Sequence, residues 1–227
     1  MTQGIIATFH GVEVPPAPHF GPKMIQNLQR ERYEHREVEA ALALISDEDR
    51  VIEMGAGAGV VGAAVARNCR PQRIVSFEAN PKLLSHIRAL YDHNALTEII
   101  EVRHQIVLSE PDAPETVPFY VLGNFLGSGM TITKDPARAE RHEIPVVPWE
   151  PLKEELAPTA LVMDIEGAEL EFFRHADLSG IRVVIIEVHR QIYERTGIQE
   201  IRKKLTDAGF KRNEDLSGGG VWALTRD

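Results

Sequence analysis

Two acidic residues flank a run of alternating glycines in the first half of the chain. Glu53 precedes the run, and Glu78 ends the next apolar segment. Glycine permits a sharp turn from a strand into a helix and lets the backbone approach a ligand closely. A carboxylate placed like that of Glu78 can accept hydrogen bonds from two ribose hydroxyls. The pattern therefore predicts a site for an adenosine-containing cofactor. The expected cofactor contacts are Glu53, Gly55, Ala56, Gly57, Gly59, Glu78, Ala79 and Asp164.

Two classes of cofactor fit these glycines. Gly57, Gly59 and Gly62 satisfy the G-x-G-x-x-G pattern of dinucleotide sites, which makes an NAD(P)-dependent oxidoreductase one alternative. Gly55, Gly57 and Gly59 also form G-x-G-x-G preceded by the acid Glu53, an arrangement typical of S-adenosylmethionine (SAM) sites. A carboxylate repels a pyrophosphate but attracts the ammonium and sulfonium groups of SAM. Glu53 therefore favours SAM, and we expect Gly62 to serve close packing of the helix.

A second acidic segment and a histidine are the candidates for catalysis. Asp164 and Glu166 directly follow one apolar run, and His189 follows another. Because the carboxyl ends of parallel strands line the ligand crevice, the three side chains should meet beside the reactive end of the cofactor. An ordinary histidine pKa of about 6.5 suits a general base. We predict all three as catalytic residues. The alternatives are that Glu166 caps the next helix, that His189 is a packed structural residue, and that Asp164 pairs with the SAM ammonium.

The order of these motifs resembles that of FkbM-type SAM-dependent methyltransferases. The likeness covers residues of about 33–190, and it lies in E-x-G-A-G-x-G, Phe77-Glu78-Ala-Asn-Pro81, Asp164-Ile-Glu166-Gly-Ala-Glu169 and Glu187-Val-His189. The resemblance implies a Rossmann-like class I SAM-dependent methyltransferase fold. It also implies O-methylation of hydroxyls on macrolides, sugars and other secondary metabolites. One departure is Trp149-Glu150, where the family more often has Leu-Asp, so the role of Glu150 stays open.

Two further alternatives concern the chemistry of the site. Asp164, Glu166 and His189 are residue types that bind divalent metals, which could orient a diol-like acceptor. Because these residues lack compact metal-ligand spacing in the sequence, we predict no metal site. A domain that binds SAM without catalysing a reaction is the other alternative.

Strand and helix patterns alternate around both acidic motifs, which predicts an α/β fold. We expect a mostly parallel sheet with helices on both faces and a C-terminal antiparallel hairpin. Residues 1–48 should form an N-terminal hairpin and helical extension, and residues 49–227 the methyltransferase domain, with an irregular β-rich insertion at about 104–148. Predicted helices include one that starts at Pro81 and one, over about 190–208, that is broken around Gly197. Within the insertion Gly123–Gly129 is a candidate lid, and the candidates for an apolar acceptor wall are Phe125, Met130 and Trp149.

Composition limits the choice of partners. The formal net charge is −9, which argues against a nucleic-acid partner, and one cysteine excludes an intramolecular disulfide. No apolar run approaches the ~20 residues that span a membrane. We therefore predict a cytoplasmic enzyme whose partner is a small-molecule acceptor with a hydroxyl group, without nucleic acid or membrane. The choice between a monomer and a homo-oligomer stays open.

Overall fold

The structure is a computed structural model, and it describes residues 4–122, 128–130 and 139–226. Its strands are β1 (Ala7–Phe9), β2 (Val12–Val14), β3 (Arg50–Met54), β4 (Arg73–Phe77), β5 (Ile100–Arg103), β6 (Ile106–Leu108), β7 (Thr116–Val121), β8 (Glu140–Pro148), β9 (Ala160–Met163), β10 (Val183–Glu187), β11 (Lys211–Arg212) and β12 (Val221–Thr225). Its helices are α1 (Pro22–Gln29), α2 (His35–Leu44), α3 (Val60–Asn68), α4 (Leu84–His93), α5 (Trp149–Leu156), α6 (Glu169–His175) and α7 (Arg195–Asp207).

Seven strands form a central sheet in the order β11-β12-β10-β9-β3-β4-β5. Strands β10, β9, β3, β4 and β5 are mutually parallel, whereas β12 is antiparallel to β10 and β11. The chain runs outward from β3 to β5 and then crosses back to β9, so the strand order reverses between β3 and β9. Such a reversal leaves a crevice at the carboxyl ends of the strands. The predicted sheet and its C-terminal hairpin are confirmed.

Alternating apolar residues bury both faces of the sheet, because successive side chains of a strand point to opposite faces. Val51 and Ile74 pack with residues of α2, α3 and α4 on one face. Ile52 and Val75 pack with residues of α5, α6 and α7 on the other. The glycine turn and both acidic motifs follow these buried strands, so the packed sheet holds their backbones in place.

The N-terminal segment packs against the glycine-turn side of the sheet. β1 and β2 form the predicted hairpin, and its turn residues His10 and Gly11 have φ of 45° and 78°. Left-handed angles at both turn positions match the twist of a two-residue hairpin. Helices α1 and α2 follow, and α2 packs against α3. The assignment of residues 1–48 as a separate extension stays a prediction.

Two predicted helix features are wrong. Helix α4 begins at Leu84 instead of Pro81, because the Asn80 side chain accepts a hydrogen bond from the Lys82 amide and holds residues 80–83 in a turn. Gly197 does not break a helix; it lies in the first turn of the continuous helix α7. A side chain there would press on Leu170 and Tyr193 (3.1 and 3.4 Å from an added Cβ), so the glycine permits close packing of α6 and α7.

The irregular middle of the chain forms a second sheet of three strands, in the order β6-β8-β7. β8 is parallel to β6 and antiparallel to β7. Most of the predicted lid, residues 123–127, and with it Phe125 of the predicted acceptor wall lie outside the described residues. Trp149 is fully buried and packs edge-on against Phe172, so its predicted place in the acceptor wall is wrong.

Within the described ranges, none of the helices combines the length and apolar character required to cross a membrane.

A buried carboxylate ties the helical extension to the central sheet. Asp49 is 1% exposed, and it accepts hydrogen bonds from the Arg182 guanidinium (2.8 Å), the Thr159 hydroxyl (2.7 Å) and the Ser46 amide (2.7 Å). Burial opposes ionisation of Asp49, but these bonds outweigh it and lower the pKa of the carboxyl group.

We expect Asp49→Asn to lower the free energy of unfolding by about 2 kcal/mol at neutral pH, since it removes the charge and leaves donors unpaired. The lowered pKa stabilises the fold above the unfolded-state pKa of about 3.9, and this contribution is lost as the pH falls through the folded-state value. The difference from the wild type should therefore shrink below about pH 4 in denaturant titrations. The exposed neighbour variant Glu48→Gln is the control, and an equal loss in both variants would contradict this role of Asp49.

Candidate active site

A cavity of about 780 Å³ lies at the carboxyl ends of β3, β4, β9 and β10. The glycine turn and Glu78 form one end, and the segments around Asp164 and His189 form the other. Apolar residues of the second sheet, among them Val107 and Phe119, line the wall between these ends. The volume is in the range that accommodates a cofactor or a drug-sized ligand.

The alternating glycines have separate structural roles. Gly55 and Gly57 have φ of 86° and 56°, which side-chain-bearing residues rarely adopt. A Cβ at Gly55 would collide with the carbonyl oxygen of Asp164, so Gly55 permits close contact between the two acidic segments. A Cβ at Gly57 would have open space within 4 Å, so at Gly57 the turn faces the cavity. At Gly59 the added Cβ would be 2.9 Å from Ile87, which indicates close packing on α4.

Glu53, a predicted cofactor contact, is a buried residue of the cavity wall. Its carboxylate accepts hydrogen bonds from the Ser76 hydroxyl and the Gly62 amide, and the residue is 3% exposed. Burial raises the pKa of Glu53 to about 7 despite these bonds. A side chain at Gly62 would collide with this carboxylate, so Gly62 does permit close packing of α3. Direct contact of Glu53 with a cofactor stays a prediction.

Glu78 connects the end of β4 to the glycine turn. One carboxylate oxygen accepts a hydrogen bond from the Gly57 amide (2.7 Å), and the other accepts one from the Asn80 amide (2.7 Å). Burial raises the pKa of Glu78 to about 7, although the bonds to backbone amides favour the charged form. Each oxygen retains a second lone pair, so the carboxylate can still accept the predicted bonds from ribose hydroxyls.

The second end of the cavity brings together all three predicted catalytic residues. His189 Nε2 lies 3.2 Å from Glu166 Oε2 and 3.6 Å from Asp164 Oδ1. Oδ1 of Asp164 is buried, and among the described residues it has no hydrogen-bond partner. The expectation that these residues share one crevice is confirmed, and their catalytic roles stay predictions.

The turn after β9 directs Glu166 toward the histidine. The Asp164 amide donates a hydrogen bond to the Met54 carbonyl (3.0 Å), which ties this turn to β3. Glu166 has a left-handed φ of 51°, and Gly167 follows with 104°. Helix α6 begins after this turn without a side-chain cap, so the alternative that Glu166 caps the helix is wrong.

Glu169 is a residue of this site that sequence reasoning missed. It is fully buried, and one of its carboxylate oxygens lies 3.1 Å from His189 Nδ1. The other oxygen accepts a hydrogen bond from the Tyr193 hydroxyl. A carboxylate in the first turn of a helix is usually explained by its favourable interaction with the helix dipole. The signal in the sequence for burial of Glu169 is its position two residues after Gly167, beside an apolar stretch.

The predicted ordinary pKa of His189 is wrong. Burial of the imidazole opposes protonation, but the hydrogen bonds to Glu166 and Glu169 and the charge of Asp164 outweigh it. Together they raise the pKa of His189 to about 11. Burial, together with Glu187 and Glu166, raises the pKa of Asp164. The surrounding carboxylates therefore favour the protonated imidazole, whereas a general base must be neutral before it accepts a proton.

Two further acidic residues face the cavity from neighbouring elements. Glu37 on α2 is 4% exposed, and no described residue forms a hydrogen bond or an ion pair with its carboxylate. Burial and the nearby Asp164 raise the pKa of Glu37 well above its usual range. Glu187 at the end of β10 also lines the cavity, whereas Glu150 accepts a hydrogen bond from the Asp177 amide and is absent from the described cavity wall.

Comparison with known families and structures agrees with this geometry. The model of the methyltransferase FkbM domain family matches residues 53–212. The METTL16 methyltransferase domain shares the fold, with a TM-score of 0.51 and 14% identity over 96% of this chain and 74% of that chain. The chain is also similar to precorrin-6y C5,15-methyltransferase from Geobacter metallireducens (TM-score 0.48, 14% identity, 86% and 87% covered). No curated protein matches the chain significantly.

The prediction that excludes a nucleic-acid partner needs correction. A putative tRNA (m1A22) methyltransferase from Streptococcus pneumoniae, solved in complex with SAM, is similar to the chain (TM-score 0.45, 12% identity, 84% and 70% covered). The predicted exclusion of nucleic acid is wrong because its premise does not support it. It used only the formal net charge of −9, which sums the whole chain and does not describe the surface around the site.

We expect Glu78→Ala to weaken SAM binding by ~1.5–3 kcal/mol, as for hydrogen bonds to a charged group. Because the charged carboxylate accepts the ribose bonds and its pKa is about 7, wild-type affinity should rise from about pH 6 to about pH 8. Isothermal titration of SAM checks both effects, and Glu78→Gln should show a smaller rise with pH. Unchanged affinity in Glu78→Ala would remove Glu78 from the ribose site.

Proposed function

Because the chain belongs to the FkbM methyltransferase domain family, we propose that it transfers the methyl group of SAM to a hydroxyl of a small molecule. The protein is a SAM-dependent methyltransferase, and this excludes the NAD(P)-dependent oxidoreductase alternative. One observation carries the finer proposal. Asp164, Glu166 and His189 converge in the cavity that Gly57 and Glu78 also line. The proposed cofactor-binding and acceptor-binding groups therefore line one cavity.

The described residues fit SAM by shape and by charge. The open space above Gly57 allows a ligand to approach the turn, and Glu78 offers acceptors for ribose hydroxyls. SAM carries a carboxylate, an ammonium and a sulfonium, so it is cationic overall. The described part of the cavity wall contains no lysine or arginine, while Glu37, Asp164 and Glu187 lie in it. Such a wall attracts a cationic cofactor.

Asp164 is the residue that we assign to proton removal from the acceptor. When bound, SAM supplies an electrophilic methyl carbon attached to its sulfonium. The Asp164 carboxylate would take the hydroxyl proton as the acceptor oxygen gains the methyl group, and the electrons of the carbon–sulfur bond would remain on sulfur. Glu166 and His189 hold the acceptor oxygen in line, and alignment of this kind lowers barriers by ~7–11 kcal/mol.

The second sheet supports an acceptor with an apolar body. Val107, Val117, Phe119 and Met130 line the cavity between its two ends. The wall places apolar side chains on one side of the acceptor and carboxylates on the other. This combination suits a small molecule whose apolar part carries hydroxyls.

The purified protein, incubated with methyl-labelled SAM and a panel of small hydroxyl compounds, should transfer label to a hydroxyl oxygen. A parallel reaction with tRNA tests the other class of acceptor. Label that enters only RNA, or only nitrogen, would overturn the proposal. SAM binding without transfer to any acceptor would favour the non-catalytic alternative.

We expect Asp164→Asn to reduce turnover by about 10²–10⁴-fold, the usual contribution of a general base, and to change the SAM dissociation constant much less. Steady-state kinetics and SAM titration separate the two effects. Asp92→Asn, at an exposed position on α4, is the matched control. Turnover in Asp164→Asn that equals the control would contradict the assignment.

A further inference from the structure

We propose that Asp164, Glu166 and His189 bind a divalent cation of the Mg²⁺ or Mn²⁺ class, which holds the acceptor oxygen. One ligand atom from each residue lies within 4.8 Å of the other two. A six-coordinate cation with bonds of about 2.1 Å holds neighbouring ligand atoms about 3.0 Å apart and opposite ones about 4.2 Å apart. The separations from His189 Nε2, 3.2 Å and 3.6 Å, fall between these two values.

Glu169 orients the histidine for this role. It lies 3.1 Å from Nδ1, and it accepts further hydrogen bonds from the Gly167 amide (3.2 Å) and the Tyr193 hydroxyl. A buried carboxylate that accepts the proton of one ring nitrogen leaves the other nitrogen to face a metal, and a cation that binds there takes the place of the second ring proton. Glu169 and Tyr193 therefore turn Nε2 of His189 toward Asp164 and Glu166 and restrict rotation of the ring.

A buried carboxylate oxygen in this group supports a cation at the site. Oδ1 of Asp164 is buried and lacks a hydrogen-bond partner among the described residues. The Glu37 carboxylate, 4% exposed, faces the same cavity without a described partner. Unpaired buried charges are costly, and the described wall offers no lysine or arginine to compensate them.

The donor set selects the class of cation. Two carboxylates and one imidazole, without a thiolate, suit Mg²⁺ and Mn²⁺ better than soft metals. Three protein ligands leave coordination positions for water and for acceptor oxygens. A hydroxyl bound there would be held beside the methyl donor, and its proton would become more acidic. This acceptor part rests on the proposed function, whereas cation binding does not.

The sequence-based argument against a metal site used spacing along the chain. Asp164 and Glu166 follow β9, and His189 follows β10, which is the neighbouring parallel strand. Parallel pairing places both strand ends at the same edge of the sheet. The fold thus brings together ligands that are 23 and 25 residues apart in the sequence.

Mn²⁺ binding to the metal-stripped full chain, measured by electron paramagnetic resonance without SAM or acceptor, tests the proposal. We expect one saturable site that Mg²⁺ competes for. Glu166→Gln should weaken it at least 10-fold, since the Glu166 side chain is 43% exposed and its replacement spares the core. Glu110→Gln, which changes another acid in the cavity wall, should leave the site unchanged and separates specific ligation from general attraction.

Glu169→Gln provides an independent reading, because it alters the group that orients His189 and leaves all three proposed ligands unchanged. We expect it to weaken Mn²⁺ binding about 10–100-fold. Absence of saturable binding in the wild type, or equal binding in wild type and Glu166→Gln, would overturn the cation site while leaving methyl transfer intact. Saturable binding together with methyl transfer that survives complete chelation would overturn the role of the cation in holding the acceptor.

Discussion

The close contact between Gly55 and Asp164 is the constraint on which the rest of the site depends. No side chain fits at Gly55, because its Cβ would collide with the Asp164 carbonyl oxygen. The amides of Gly55 and Ala56 both donate to the Phe77 carbonyl (3.0 Å each). The glycine turn is thereby held between the end of β4 on one side and the end of β9 on the other. One backbone geometry places the glycine turn and Asp164, the proposed catalytic acid, in contact.

The active site concentrates charge that the fold must stabilise elsewhere. Glu53 and Glu78 are buried carboxylates whose pKa values are raised to about 7, and Glu37 has a raised pKa as well. Raised carboxylate pKa values mean that the charged site opposes folding at neutral pH. This cost is offset by the two apolar layers on the sheet and by the Asp49–Arg182 contact at the amino ends of the strands, away from the cavity. A cationic cofactor, and a cation at His189, would reduce the same repulsion.

Much of the fold could be predicted from the sequence because the relevant signals are local. These signals are the alternating strand and helix patterns, the hairpin turn at His10-Gly11 and the glycine turn, and each depends on neighbouring residues. The chemistry of His189 could not be predicted in this way. Its pKa depends on Glu166 in a turn and Glu169 on a helix, which only the parallel pairing of β9 and β10 brings near. The same long-range pairing assembles the candidate metal ligands. The prediction for Gly197 is wrong for a similar reason, since its close contact with Leu170 of α6 is also distant in the sequence.

The central claim is that cofactor and acceptor occupy one cavity, with the sulfur between the glycine turn and the Asp164–His189 group. A crystal structure with S-adenosylhomocysteine tests this arrangement most directly. The account predicts ribose hydroxyls bonded to Glu78 and a sulfur atom that faces Asp164 and His189 across space for an acceptor. A sulfur atom directed away from these residues, or an adenosine bound outside the cavity, would contradict the account.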